Sequence, residues 1–285
     1  MGNIPCPKCS MEVSSKDNFC KYCGIPVPKA PAVFNQIFYG DFTGFEIQED
    51  VLTKYAGNDC QVTVPNGVTA IGERAFAFCY NLTSVTLPDS VTTIEGGAFF
   101  NCQNLTSINF PDNITSVGRS AFNSCPKLKA ITLPYSLTII DDLAFCECIS
   151  ITSITLPDSV EEIGEAAFSF CSSLASVILP NSLTTIGEAA FSYCPSLTSI
   201  TLPDSLTTIK KVTFNFCSNL TNVTLPGNLK TIEKGAFNEC SSLVSIRLPN
   251  NAVTIDSWAF RGCTSLNAII KPDGTNVIAE YQKPM

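Results

Sequence analysis

The sequence predicts a mainly β, right-handed solenoid of nine 23-residue coils, preceded by a small unit built around four cysteines. Two observations carry this expectation. Proline recurs at 65, 88, 111, 134, 157, 180, 203, 226, 249 and 272, a spacing of 23 that never slips, and strict repeats of roughly 20–50 residues mark stacked supersecondary units. At the front, Cys6-Pro-Lys-Cys9 and Cys20-Lys-Tyr-Cys23 form two Cys-x-x-Cys pairs ten residues apart. The organisation read from these signals is a four-cysteine unit at 1–26, a Pro-rich linker at 27–40, an N-terminal capping hairpin at 41–64, the solenoid at 65–271 and a C-terminal cap at 272–285.

Four thiolates in two pairs are the number and grouping that tetrahedral zinc takes, and a site filled by four cysteines has no open position. Cys6, Cys9, Cys20 and Cys23 are therefore the predicted ligands of a structural zinc, which would supply folding energy to a segment with little core. Residues 4–24 resemble the short zinc ribbons at the front of many bacterial proteins. The competing reading, two redox-active dithiols, lacks a thioredoxin-like βαβ pattern around the pairs. Pro26, Pro28 and Pro31 then read as a semi-stiff tether.

Within the repeat, Phe76 and its equivalents through Phe260 form one column, Cys79 through Cys263 a second, and Ile71 through Ile255 a third. In the coil Leu174–Cys194, alternation places Val177 and Leu179 inward and Ser176 and Ile178 outward on a short strand. Pro180 ends the strand, and Ser182 and its equivalents satisfy backbone groups at the corner. Leu183–Ile186 returns as a second extended piece, and Gly187–Phe191 is long enough for one helical turn. Such a coil cannot bury its own apolar face, so the coils must stack in register at about 4.8 Å.

The recurring Leu-Pro-Asp-Ser-Val-Thr-Thr-Ile-Gly-x-x-Ala-Phe-x-x-Cys-x-x-Leu-Thr-Ser-Ile over residues 60–272 resembles the BspA-like (Treponema-type) leucine-rich repeats. Phe45–Ile47 and Val51–Tyr55 resemble the hairpin that opens such arrays, and 276–285 a worn terminal repeat. Departures are local: Asp141-Asp142-Leu143 and Lys210-Lys211-Val212 replace the usual Gly-Glu-Ala, and Ala252 replaces Val or Leu. The resemblance implies a leucine-rich-repeat solenoid acting as an interaction or adhesion surface for host or cell-surface ligands, and so a cell-surface location. Against that, the N-terminus lacks an apolar signal core and no stretch of about 18 apolar residues occurs, which reads as cytoplasmic with no membrane span.

The balance of charge excludes one class of partner. Residues 1–30 carry four lysines against Glu12 and Asp17, leaving a net of −10 on the remainder, a poor match for nucleic-acid phosphates. The chain has no histidine, which removes the usual general base and the Ser-His and Cys-His nucleophile pairs. What remains for an enzyme is exposed cysteine or carboxylates such as Glu161, Glu162 and Glu165, for which a solvated edge is the simpler reading. The nine column cysteines read as small buried hydrophobes, and Cys60 and Cys146, which break the register, as the exposed thiols.

A non-enzymatic scaffold binding a protein or glycan ligand follows. Its predicted face is the outward strand comb, with Ser153, Thr155, Ser176, Ser199 and Thr201 supplying hydroxyls and Ile178, Arg247 and Ile270 interrupting them. The alternative is an intracellular adaptor that recruits through the zinc ribbon, with the solenoid as spacer.

Overall fold

The computed structural model describes residues 3–5, 12–14, 44–129, 131–250 and 253–278. Cys6, Cys9, Cys20 and Cys23, and the linker at 27–40, lie outside the described residues. The chain divides into two units, Met1–Thr43 and Gly44–Met285. In the first, Asn3–Pro5 pairs antiparallel with Glu12–Ser14.

The second unit is a β-solenoid of about nine turns of 23 residues. It opens on an antiparallel hairpin, Phe45–Gln48 with Val51–Tyr55, whose second strand pairs in parallel with Ala70–Ile71. Two series of short strands then follow, with one strand of each in most turns. One series runs from Ala70–Ile71 to Thr254–Ile255, pairing residues 23 apart, as Val117 with Ile140 and Ile163 with Ile186. The other runs from Gln61–Thr63 to Ala268–Ile270, pairing Ile154 with Val177 and Ile200 with Val223. The alternation read from the sequence is the alternation seen: Val177 is buried between exposed Ser176 and Ile178. Among the described residues the second series has no strand between Ser107–Ile108 and Ser153–Thr155.

The segment after each first-series strand is not the helical turn that its length suggested. Its backbone alternates between two hydrogen-bonding duties. Ala166, Phe168 and Phe170 donate to Glu188, Ala190 and Ser192 of the next coil, while Ser169 and Cys171 donate back three residues to Ala166 and Phe168. A continuing helix bonds each N–H back four residues within its own segment, whereas here alternate N–H groups tie coil to coil. The alternation demands left-handed residues: Ala166 sits at φ 51° and Phe170 at φ 59°, and Ala189 with Tyr193 and Val212 with Phe216 repeat the pair. Leu143 and Val212, in the two departures from the usual Gly-Glu-Ala, keep this conformation at φ 58° and 48°, so the departures leave the turn unchanged.

The core is a set of continuous columns. Rings from Phe76 to Phe260 stack almost parallel, with centroids 5.0–5.7 Å apart, and Tyr55 extends the column at 5.2 Å from Phe76. The cysteine column does more than fill space. Each thiol from Cys102 to Cys263 donates to the carbonyl of the phenylalanine 26 residues earlier, as Cys194 to Phe168 at 3.2 Å. Corner serines also reach back one coil: Ser159 Oγ donates to Leu137 O at 2.6 Å and Ser182 Oγ to Val160 O at 2.7 Å. At the far end Val277 is buried and its N–H donates to Ile269 O.

Close approach between coils leaves no room for a side chain at Gly164 or at Gly187. A Cβ on Gly187 would overlap the backbone of Gly164 and Glu165, whereas one on Gly96 meets only the Arg119 carbonyl oxygen at 3.5 Å. Gly187→Ala is expected to cost about 2–3 kcal/mol. Gly96→Ala should be neutral or stabilise by about 0.5 kcal/mol, because it restricts the unfolded chain. Urea denaturation of the two variants checks this, and equal midpoints would contradict the overlap.

Candidate functional site

Ser153, Thr155, Ser176, Ser199 and Thr201 are all exposed on the second strand series, in register across coils. Ile178 projects beside Thr155 and is 58% exposed, and Arg247 is exposed. Ile270 is different: it is half-buried, and a bridge to Asn276 in the terminal segment occupies its edge. This face is a row of short hydroxyl side chains on the second strand series.

The two register-breaking cysteines separate. Cys60 is exposed, but Cys146 is buried at 6% exposure, contrary to the expectation that it faces outward. The side chains of its column lie just before the second left-handed residue, where Ser169 is also buried and donates to Ser192 O, while Ala77 and Asn123 are half-covered. The column also holds half-buried Phe100 and exposed Arg261, so its exposure changes from coil to coil and variety there does not fix which way a side chain faces. Burial pushes the Cys146 thiol up to about 11 and Cys217 up to about 12, and raises Cys148 and Cys194 well above the ordinary value. These sulfurs are protonated at neutral pH and poor nucleophiles. Glu161, Glu162 and Glu165 are exposed on their coil.

The most distinctive surface was not anticipated. Phe170, Tyr193 and Phe216 each precede a column cysteine and occupy the second left-handed position of three successive turns, at φ 59°, 57° and 57°. They are 45%, 39% and 39% exposed. Their rings stack on one another, with centroids 4.4 and 4.7 Å apart and planes within 8° and 14°. A bulky side chain in this region costs roughly 1–2 kcal/mol that glycine avoids. Elsewhere the same column holds Phe78, Asn101, Ser124, Glu147, Glu239 and Gly262, all left-handed, so the conformation belongs to the repeat. What sets these three coils apart is that adjacent aromatics stack and expose apolar area together. Together with Pro126, Ile149 and Pro195 they line a groove of about 590 Å³ along the solenoid axis, with Ser172 and Ser218 also in the lining and Glu147 as its charged residue. Reading the column before each cysteine, instead of the cysteines alone, would have revealed it.

Among the described residues no helix is long and apolar enough to cross a membrane, and no group of three or more His, Cys, Asp or Glu side chains is placed to hold a metal ion. The family described as the BspA type leucine rich repeat region matches in six copies over residues 46–175 and 138–267. A leucine-rich repeat protein from Bacteroides ovatus ATCC 8483 is 30% identical over 80% of this chain and 69% of its own, with a TM-score of 0.67. The T. pallidum Leucine Rich Repeat protein is 32% identical over 71% of this chain and 88% of its own, with a TM-score of 0.53. No curated protein matches the chain. The 23-residue turn, the phenylalanine and cysteine columns and these matches coincide along the same residues, and the chain belongs to the BspA-type leucine-rich-repeat family.

Proposed function

We propose that the solenoid is a non-enzymatic binding scaffold that holds a partner along the Phe170–Tyr193–Phe216 groove. The observation that carries this is three exposed aromatics stacked across successive coils and lining one groove, since contiguous exposed apolar surface marks interaction sites. The groove's volume, about 590 Å³, is within the range of pockets that bury a ligand. The acidic charge of the solenoid argues against nucleic acid as that partner. The strand comb is a second reading, favoured by the 58% exposure of Ile178 in register beside Thr155. Phe170→Asn with Phe216→Asn should weaken a bound partner at least tenfold, about 1.4 kcal/mol, and Ile178→Ser with Arg247→Glu should leave affinity unchanged. The reverse result, read by calorimetry, would move the site to the strands.

The N-terminal segment carries a separate proposal, one structural zinc held by Cys6, Cys9, Cys20 and Cys23. Its support is the spacing of the four cysteines and the strand pair Asn3–Pro5 with Glu12–Ser14, which brackets Cys6 and Cys9 in sequence. Elemental analysis of chain purified under reducing conditions without chelator should give one zinc per chain; material with none would refute it. Cys20→Ser should abolish that zinc and leave the solenoid's melting transition unchanged.

A further inference from the structure

Resting on the groove reading above, we infer that its occupant is a polypeptide segment with large apolar side chains and a basic flank, and not a glycan. The argument starts from which part of each ring is free. Tyr193 has Phe170 on one face at 4.4 Å and Phe216 on the other at 4.7 Å, so both of its faces are covered. What the exposed 39% of Tyr193 presents is ring edge and hydroxyl. A sugar binds aromatics by laying its axial C–H bonds flat on a ring face, and the stack withholds both faces of Tyr193 and one face each of Phe170 and Phe216. Ring edges carry the positive rim of the aromatic quadrupole and pack against the faces of other aromatic rings in T-shaped contacts.

The remaining lining points the same way. Pro126, Ile149 and Pro195 add apolar walls that a hydroxyl-covered glycan would not match. Ser172 and Ser218 also line the groove, and their hydroxyls can meet peptide amides and carbonyls. Glu147 is exposed within the lining, and its Oε2 accepts from Ser124 Oγ at 2.9 Å. Its charge disfavours an acidic partner and complements a lysine or arginine beside the apolar side chains.

The test uses the full chain as bait against a phage-displayed library of 12-residue peptides and, in parallel, a glycan array. Selected peptides should be enriched in Phe, Tyr, Trp or Leu, contain Lys or Arg and be poor in Asp and Glu. Synthetic copies should bind the Phe170→Asn/Phe216→Asn double variant at least tenfold more weakly. Asparagine already occupies this left-handed column at Asn101, φ 59°, so the variant should fold, with a melting midpoint within roughly 4 °C of the parent. Glu147→Gln should weaken the basic peptides and spare uncharged ones. Glycan binding that depends on Phe170 and Phe216 would overturn the peptide assignment and leave the groove reading standing. Selection of acidic peptides, or of peptides indifferent to Glu147, would overturn the basic flank. If no peptide or glycan shows ring-dependent binding, both the assignment and the groove reading fall.

Discussion

Phe168→Ala is expected to cost the solenoid about 3–5 kcal/mol. The ring is fully buried and stacks at 5.4 Å on Phe145 and at 5.5 Å on Phe191, so truncation opens a cavity with phenylalanine on both sides. The Phe168 carbonyl also accepts the Cys194 thiol at 3.2 Å, and a backbone that relaxes into the cavity loosens that bond. Among the described residues, Phe260 stacks only on Phe237, at 5.5 Å, and is 3% exposed. Phe260→Ala should cost measurably less, because a terminal coil can settle or fray where a central one is clamped. Equilibrium urea denaturation of both variants gives the comparison. Equal losses would show that the column does not behave as a chain of nearest-neighbour contacts.

Alkaline pH is expected to unfold the solenoid through its thiols. Burial holds Cys146 up at about 11 and Cys217 up at about 12, against 9.0 for a free thiol, and Cys148 and Cys194 are raised by the same cause. A folded-state pKa above the unfolded value means that the protonated form is the one folding favours. The associated stability is therefore intact below pH 9 and is lost as pH rises toward 11–12. Each such group removes about 1.4 kcal/mol per pH unit in that window. Cys146 and Cys217 alone remove on the order of 4 kcal/mol by pH 11, comparable with the whole stability of many domains. Melting curves recorded by circular dichroism from pH 8 to 11 should show a midpoint that is flat to pH 9 and then falls steeply. Cys217→Ala should start lower and fall less steeply. A midpoint unchanged at pH 10.5 would mean that the column opens to solvent without unfolding.

The sequence alone determined the coil length, the two strand series and the buried columns, because each depends on a residue type recurring at an invariant offset. Val177 between Ser176 and Ile178 is enough to orient a strand, and proline every 23 residues is enough to set the turn. Three things were decided only by stacking. The Gly187–Phe191 stretch has helical length, yet Ala189 and Phe191 give their N–H groups to the next coil and Gly187 gives its own to the preceding one, a demand that no local window contains. Cys146 looked outward because its column is varied, yet the neighbouring coils close over it. Phe170, Tyr193 and Phe216 are 23 residues apart in sequence and meet only when the turns are superposed, with their rings 4.4 and 4.7 Å apart. Periodicity reports what each coil repeats, whereas a surface that runs along the axis is made by what successive coils change, and only their contact brings those changes together.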